Sequence, residues 1–113
     1  MDTYINLTSD SGIKKKITTE GSGKSPAQGT KVKVNYVGKF ESGKVFDKSE
    51  GGFDFTIGVG QVIKGWDLGV ASMKVGEKAT FILSPDYAYG KRGAGGVIPP
   101  NSTLVFDVEL LKC

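Results

Sequence analysis

The chain has 113 residues, a formal net charge of +3, no histidine and one cysteine, Cys113. That length supports one domain with a single core, and no apolar run approaches the ~20 residues of a membrane helix. Without imidazole, Ser-His-Asp and Cys-His catalysis and His-containing zinc sites are excluded, and one thiol builds neither a thiolate metal cage nor an internal disulfide.

The opening MDTYINLTSDSG is polar and lacks the charged-then-apolar order of a secretory leader. Residues 1–12 are expected to form an N-terminal extension to a domain spanning 13–113, and the expected compartment is the cytosol or nucleus. Ile13 to Ile17 reads as an edge strand, with Lys14, Lys15 and Lys16 as a solvated face that blunts the edge. EGSGKSPAQG is a long turn. Its Gly21-Ser22-Gly23-Lys24-Ser25 is similar to the end of a phosphate-binding loop, but the first required glycine falls at Thr18 and Pro26 stands where a helix must begin. No nucleotide site is expected there. Lys31 to Val37 alternates, with Val32, Val34 and Tyr36 facing inward. Glu41-Ser42-Gly43-Lys44 is a hairpin signal, and the chain returns through Val45, Phe46 and Asp47. Phe53 to Ile57 alternates again, with Phe53, Phe55 and Ile57 on one side. Val62 to Met73 is the only helical stretch, carrying Trp66, Val70 and Met73 on one stripe. Lys78 to Leu83 and Leu104 to Leu111 read as strands, the second with Leu104, Phe106, Val108 and Leu110 inward. The pattern predicts an α+β domain of about five antiparallel strands with one short helix buried against the sheet.

Tyr87-Ala88-Tyr89-Gly90 and Val97-Ile98-Pro99-Pro100 flank a glycine-rich segment. This arrangement suits a shallow aromatic pocket roofed by a loop, and it contains no good nucleophile or base. Tyr36, Phe46, Phe53, Phe55, Trp66, Tyr89 and Phe106 are dispersed in sequence, yet the strand faces turn most of them toward one interior. They form either the plain core of a small domain or the walls of a ligand pocket. Trp66, after Gly65 at the helix start, is either a pocket floor or a packed core residue. Asp47, directly after Phe46, is either a turn residue or a buried acceptor for a tyrosine hydroxyl. No aromatic residues alternate with the lysine run, and the net charge is small, so no nucleic-acid partner is expected.

Four stretches carry a resemblance to a known family: VNYVGKFESGKVFDKS, FTIGVGQVIKGWDLGVASMKVGEKATF, SPDYAYG and VIPPNSTLVFDVELLK. In this order, and from about Gly21 to Lys112, the chain resembles the small single-domain FKBPs, peptidyl-prolyl cis–trans isomerases that are also receptors for tacrolimus and rapamycin. The resemblance implies a twisted five- to six-stranded antiparallel sheet wrapped around one short helix. It implies isomerase activity on proline-containing peptides and proteins with no cofactor and no metal, in a monomer away from nucleic acid and membranes. It also implies drug-dependent docking on calcineurin or the rapamycin-target kinase. Carried over motif by motif, the pocket would consist of Tyr36, Phe46, Asp47, Phe55, Val62, Ile63, Trp66, Tyr89, Ile98 and Phe106. Asp47, Ile63 and Tyr89 would act on the substrate: the Ile63 N–H and the Tyr89 hydroxyl on carbonyl oxygens, and Asp47 as an acceptor. Two places depart from the family pattern. The Lys48–Gly52 loop is short and has no arginine to pair with Asp47, and the segment after Tyr89 reads Gly93-Ala94-Gly95-Gly96 where many members carry a bulky residue and a proline. A rival reading keeps the same pocket but makes the chain a docking module whose isomerase activity is incidental.

Overall fold

The computed structural model describes residues 4–49 and 51–113. Seven strands and one helix follow in the order β1 (Ile5–Asn6), β2 (Ile13–Thr19), β3 (Lys31–Phe40), β4 (Val45–Lys48), β5 (Phe53–Thr56), α1 (Lys64–Ala71), β6 (Lys78–Leu83) and β7 (Leu104–Lys112). All pairings are antiparallel, in the sheet order β1-β2-β6-β7-β3-β4. The fifth strand also lies on β3. The count exceeds the expected five to six for two reasons. β3 is long enough to pair with β5 through Lys31–Val34 and with β4 through Val37–Lys39, along the same edge. The polar stretch 1–12 also does not stand apart over its described part, because Ile5 and Asn6 pair with Lys15 and Lys14.

The helix is shorter than the expected Val62–Met73. Ile63 has an extended ψ of 152°, and the last turn closes with the Ser72 N–H donating to the Gly69 carbonyl and the Met73 N–H to that of Val70. Trp66, Val70 and Met73 nevertheless form the buried stripe, meeting Val32, Val34, Phe55, Phe81, Leu83, Phe106 and Leu110 in one core. Two glycines let α1 press onto β6. A Cβ on Gly65 would collide with the Leu83 side chain and the Tyr87 carbonyl, and one on Gly69 would stand 3.0 Å from the Phe81 ring.

The lysine run needs correction. β2 is covered on one side by β1 and on the other by β6, so it is not an edge over Lys14 and Lys15. Strand alternation also puts Lys15 on the face of Ile13, where it is only 4% exposed. Its ammonium lies 2.8 Å from Glu77 Oε2 and donates to the Ser72 carbonyl at 3.1 Å and hydroxyl at 3.0 Å. A cation is favourable at the C-terminal end of a helix, and here it also ties that end to β2. Glu77, 3% exposed, accepts the Lys74 N–H through Oε1 at 3.2 Å. Its Oε2 has no hydrogen-bond donor among the described residues other than the ion-paired ammonium.

A buried pair of this kind is costly to break from one side, because the remaining charge loses its partner. Lys15→Met is expected to lower unfolding free energy by about 3–5 kcal/mol. Adding Glu77→Gln to it should recover much of the loss, since no buried charge remains. Denaturant unfolding of the single and double variants checks this.

Candidate active site: an aromatic pocket on the helix

A cavity of about 410 Å³ opens where the start of α1 meets the curved sheet. Its base is Trp66, placed in the first turn of the helix and 7% exposed. Three rings stand edge-on around the indole: Tyr36 from β3 at 4.7 Å and 77°, Phe106 from β7 at 5.4 Å and 87°, and Phe53 from β5 at 5.9 Å and 77°. Edge-to-face contacts of this kind add to area burial and hold the platform in one orientation. Phe46 from β4 meets Phe106 at 5.8 Å and 84°. That contact requires Gly38, since a Cβ there would run into both rings. Trp66 therefore answers to both sequence alternatives, as a member of the core and as the floor of the cavity.

The polar groups sit on the rim. Asp47 is exposed, not buried, but it is the acceptor for a tyrosine hydroxyl: Tyr36 donates to Oδ2 at 2.8 Å. Burial first, then the hydrogen bond to Asp47 and its charge, push the Tyr36 phenol up to about 12. Burial and the same carboxylate raise Tyr89. Both phenols are thus neutral donors at physiological pH. The Tyr36 hydroxyl is engaged, whereas that of Tyr89 has no partner among the described residues.

The turn from β5 into α1 supplies Gln61, Val62 and Ile63 to the cavity. Asp67 clamps this turn from within the helix, accepting the Gly58 N–H at 2.9 Å and the Gly60 N–H at 3.0 Å. Both glycines have φ of 80°, a conformation that side chains other than glycine rarely adopt. Gln61 adds a second tie, its side-chain oxygen accepting the Thr56 N–H at 2.8 Å. The Ile63 carbonyl takes the first helical N–H groups, from Trp66 and Asp67, while its own N–H finds no acceptor among the described turns. An unpaired donor at a helix start suits a carbonyl oxygen of a bound molecule.

Tyr36, Phe46, Asp47, Val62, Ile63, Trp66, Tyr89 and Phe106 all line the cavity. Phe55 and Ile98, expected beside them, do not. Phe55 is buried behind Phe53, stacked on it at 5.9 Å, and supports Trp66 from 5.7 Å. Ile98 is turned into the core, its backbone paired with Ala94. Phe53 takes the lining place because it lies at the open end of β5 and is 39% exposed. Gln61 and Asp67 were missed as well. The signal for Asp67 was a carboxylate in the first helical turn, following the turn that carries Gly58 and Gly60, whose N–H groups it binds.

No His/Cys/Asp/Glu group that could hold a metal occurs among the described residues. A larger hollow of about 480 Å³ crosses the outer face of the sheet. Its lining includes Lys48, Lys78, Asp107 and Glu109 and gives no enclosed apolar wall. The aromatic cavity is the better candidate, and it can seat a compact apolar ring on Trp66 while rim donors hold carbonyl oxygens.

The comparisons with known proteins agree with this geometry. The family described as FKBP-type peptidyl-prolyl cis-trans isomerase matches residues 22–111. FK506-binding protein 1 of Gibberella zeae is 58% identical over 108 residues, covering 89% of this chain and 97% of that protein. The Drosophila melanogaster peptidyl-prolyl cis-trans isomerase Fkbp12 is 60% identical over 90 residues, covering 77% and 83%. The crystal structure of AtFKBP13 superposes with a TM-score of 0.89 at 40% identity, covering 98% of this chain and 99% of that one.

The raised phenols predict a late step in an alkaline absorbance titration. A phenol raised from 10 to about 12 keeps its folded-state hydrogen bond below pH 10 and loses it as pH rises through 12. Tyr36→Phe should remove the step near pH 12. Asp47→Ala should move it to lower pH, because the hydrogen bond and the neighbouring charge disappear while burial remains.

Proposed function

The chain belongs to the FKBP-type peptidyl-prolyl cis-trans isomerase family and is an isomerase of X–Pro bonds, and on that premise we propose that the Trp66 pocket is the catalytic site and also the receptor for tacrolimus (FK506) and rapamycin. The observation that carries this reading is the combination at one place of a caged indole floor with two free donors, the Tyr89 hydroxyl and the Ile63 N–H.

Rotation about an X–Pro bond breaks no covalent bond and needs no nucleophile. Its barrier is ~18–20 kcal/mol because amide resonance is lost on twisting. The planar amide is more dipolar than the twisted one, so a dry aromatic enclosure disfavours the planar ground state relative to the transition state. The proline ring rests on Trp66 between Tyr36, Phe46 and Phe106. Ile63 N–H holds a flanking carbonyl, which keeps the peptide in a turn-like shape as the bond rotates. Asp47 acts by fixing the Tyr36 hydroxyl and as a rim acceptor, with no proton transferred. Proline is the natural substrate because X–Pro bonds populate both isomers appreciably.

The names of the relatives support the drug-binding half of this reading: those from Gibberella zeae and Dictyostelium discoideum are called FK506-binding proteins. We further propose that the protein acts as a monomer on folding chains in the cytosol or nucleus, a reducing setting that suits its one cysteine. Bound tacrolimus would dock it on calcineurin, and rapamycin on its target kinase.

A proline-isomerisation assay on an X–Pro tetrapeptide, with and without tacrolimus, tests the site. Activity should be indifferent to EDTA and inhibited by either drug. Trp66→Ala or Phe106→Ala should cost about 3–5 kcal/mol of stability and abolish drug binding. Tyr89→Phe should keep the fold and weaken drug binding by about 0.5–1.5 kcal/mol, one hydrogen bond. Asp47→Val should retain partial activity; a folded but inactive Asp47→Val sinks the mechanism.

The rim yields a separate expectation. Gly93, Gly95 and Gly96 leave the loop tip without anchoring side chains, and interface energy concentrates in such anchors. Tacrolimus-saturated protein should therefore inhibit calcineurin less than a typical single-domain FKBP does at equal concentration. Equal inhibition in a phosphatase titration would show the glycine tip to be energetically silent.

A further inference from the structure

The loop that carries Tyr89 is braced from outside the pocket by residues 8–12. The chain turns sharply there: the Ser11 N–H donates to the Thr8 carbonyl at 3.3 Å, and Ser11 takes a φ of 59°. Asp10 closes the turn, its Oδ1 accepting the Thr8 hydroxyl at 2.6 Å and the Gly12 N–H at 3.0 Å. Its second oxygen, Oδ2, accepts the Tyr87 hydroxyl at 2.8 Å. The Gly12 carbonyl accepts the Ser84 N–H at 2.8 Å. The Tyr87 ring lies against Gly12 so closely that a Cβ on that residue would collide with it. Tyr87 is therefore fixed by its hydroxyl, by its ring and, through Ser84, by the start of its own turn.

The brace is firm at both ends. On one side, Ile5 and Asn6 pair with β2, the Leu7 N–H donates to Ile13 at 2.9 Å, and Leu7 packs on the core. On the other, Pro85–Tyr87 forms a short 3-10 turn. The Tyr87 N–H bonds Ser84 at 3.0 Å, and the Ala88 and Gly90 N–H groups bond Pro85 at 3.0 and 2.8 Å. Backbone 84–90 is one tight unit, and Tyr89 stands two residues beyond the anchored ring.

We propose that the Asp10–Tyr87 hydrogen bond positions the Tyr89 hydroxyl over the pocket, which makes Asp10 and Tyr87 positioning residues for substrate and drug binding. The proposal rests on the role given to Tyr89 above. The hydrogen bonds from Thr8, Tyr87 and Gly12 hold the Asp10 carboxyl below its ordinary pKa, and the bond to Asp10 raises the Tyr87 phenol. Acceptor and donor thus keep their forms at neutral pH. Asp10 lies outside residues 22–111 that match the family, so the brace is a device of this chain's N-terminal segment.

The test is a mutant cycle in the full-length protein, read as KM and kcat for an X–Pro tetrapeptide and as Tm. Tyr89→Phe alone should raise KM. Tyr87→Phe and Asp10→Ala should each raise KM by about two- to threefold, the scale of one modest hydrogen bond, with kcat little changed. The Asp10→Ala/Tyr87→Phe pair should be no worse than either single change, as expected for two residues sharing one interaction. In a Tyr89→Phe background, Tyr87→Phe should add nothing. Tyr87→Phe removes a single oxygen and keeps the ring, so it remains readable if Asp10→Ala folds poorly. If Tyr89→Phe raises KM while Tyr87→Phe and Asp10→Ala match wild type, the brace is overturned and the pocket reading stands. Effects that persist in full in the Tyr89→Phe background, or that appear in Tm alone, also overturn it, since they mark a merely structural contact. A silent Tyr89→Phe overturns the role of Tyr89, and the brace with it.

Discussion

The separation between α1 and β6 is the constraint on which the site depends. Trp66 can be a core residue and a pocket floor at once only if the helix lies close enough to the sheet for rings from β3, β5 and β7 to reach the indole. Gly65 and Gly69 set that approach by offering no side chain to Leu83 and Phe81. The buried Lys15–Glu77 pair and the bonds from Lys15 to Ser72 fix the far end of the same helix. The N-terminal end is fixed by Asp67 through the glycine turn. A helix of eight residues is too short to be stable alone, so these tertiary ties, and not helix propensity, determine where Trp66 stands.

The chemistry proposed for the pocket depends on what is absent near its floor. The charged rim residue, Asp47, is turned outward and engaged by Tyr36. The inner wall is carbon apart from the Trp66 indole N–H, which is buried without a partner among the described residues. In such a setting the two rim donors act with little competition from water. Neutral phenols suit this work better than charged groups. A hydroxyl can hold a carbonyl oxygen in either isomer, whereas a fixed charge would favour the more dipolar planar amide.

Most of the sheet was legible from alternation. β3 and β7 carry clean period-2 patterns, and their inward residues Val32, Val34, Leu104, Phe106, Val108 and Leu110 are buried. Alternation also pointed to the burial of Lys15, on the face of Ile13, but its charge argued for solvent. The pairing partner, Glu77, lies in a loop 62 positions away in sequence number, and no local pattern joins the two. Motif resemblance located eight lining residues, yet it could not separate Phe53 from Phe55, because both share one face of β5. Only the position of β5 at the mouth decides that Phe53 lines and Phe55 supports. Gln61 and Asp67 were missed for a different reason. They act on backbone N–H groups, and side chain–backbone ties leave no mark in hydrophobic patterning.

Trp66 is the only tryptophan in the chain, and it lies 4.7 Å from Tyr36 and beneath the cavity. The protein therefore carries its own optical reporter at the floor of the proposed catalytic pocket. Intrinsic emission excited at the indole band arises from the pocket floor alone, so a seated ring alters the signal with no label attached. The same indole belongs to the hydrophobic core, so its emission also changes when the chain unfolds. A single fluorescence channel reads occupancy and integrity together, and the two separate only by their dependence on ligand or denaturant concentration.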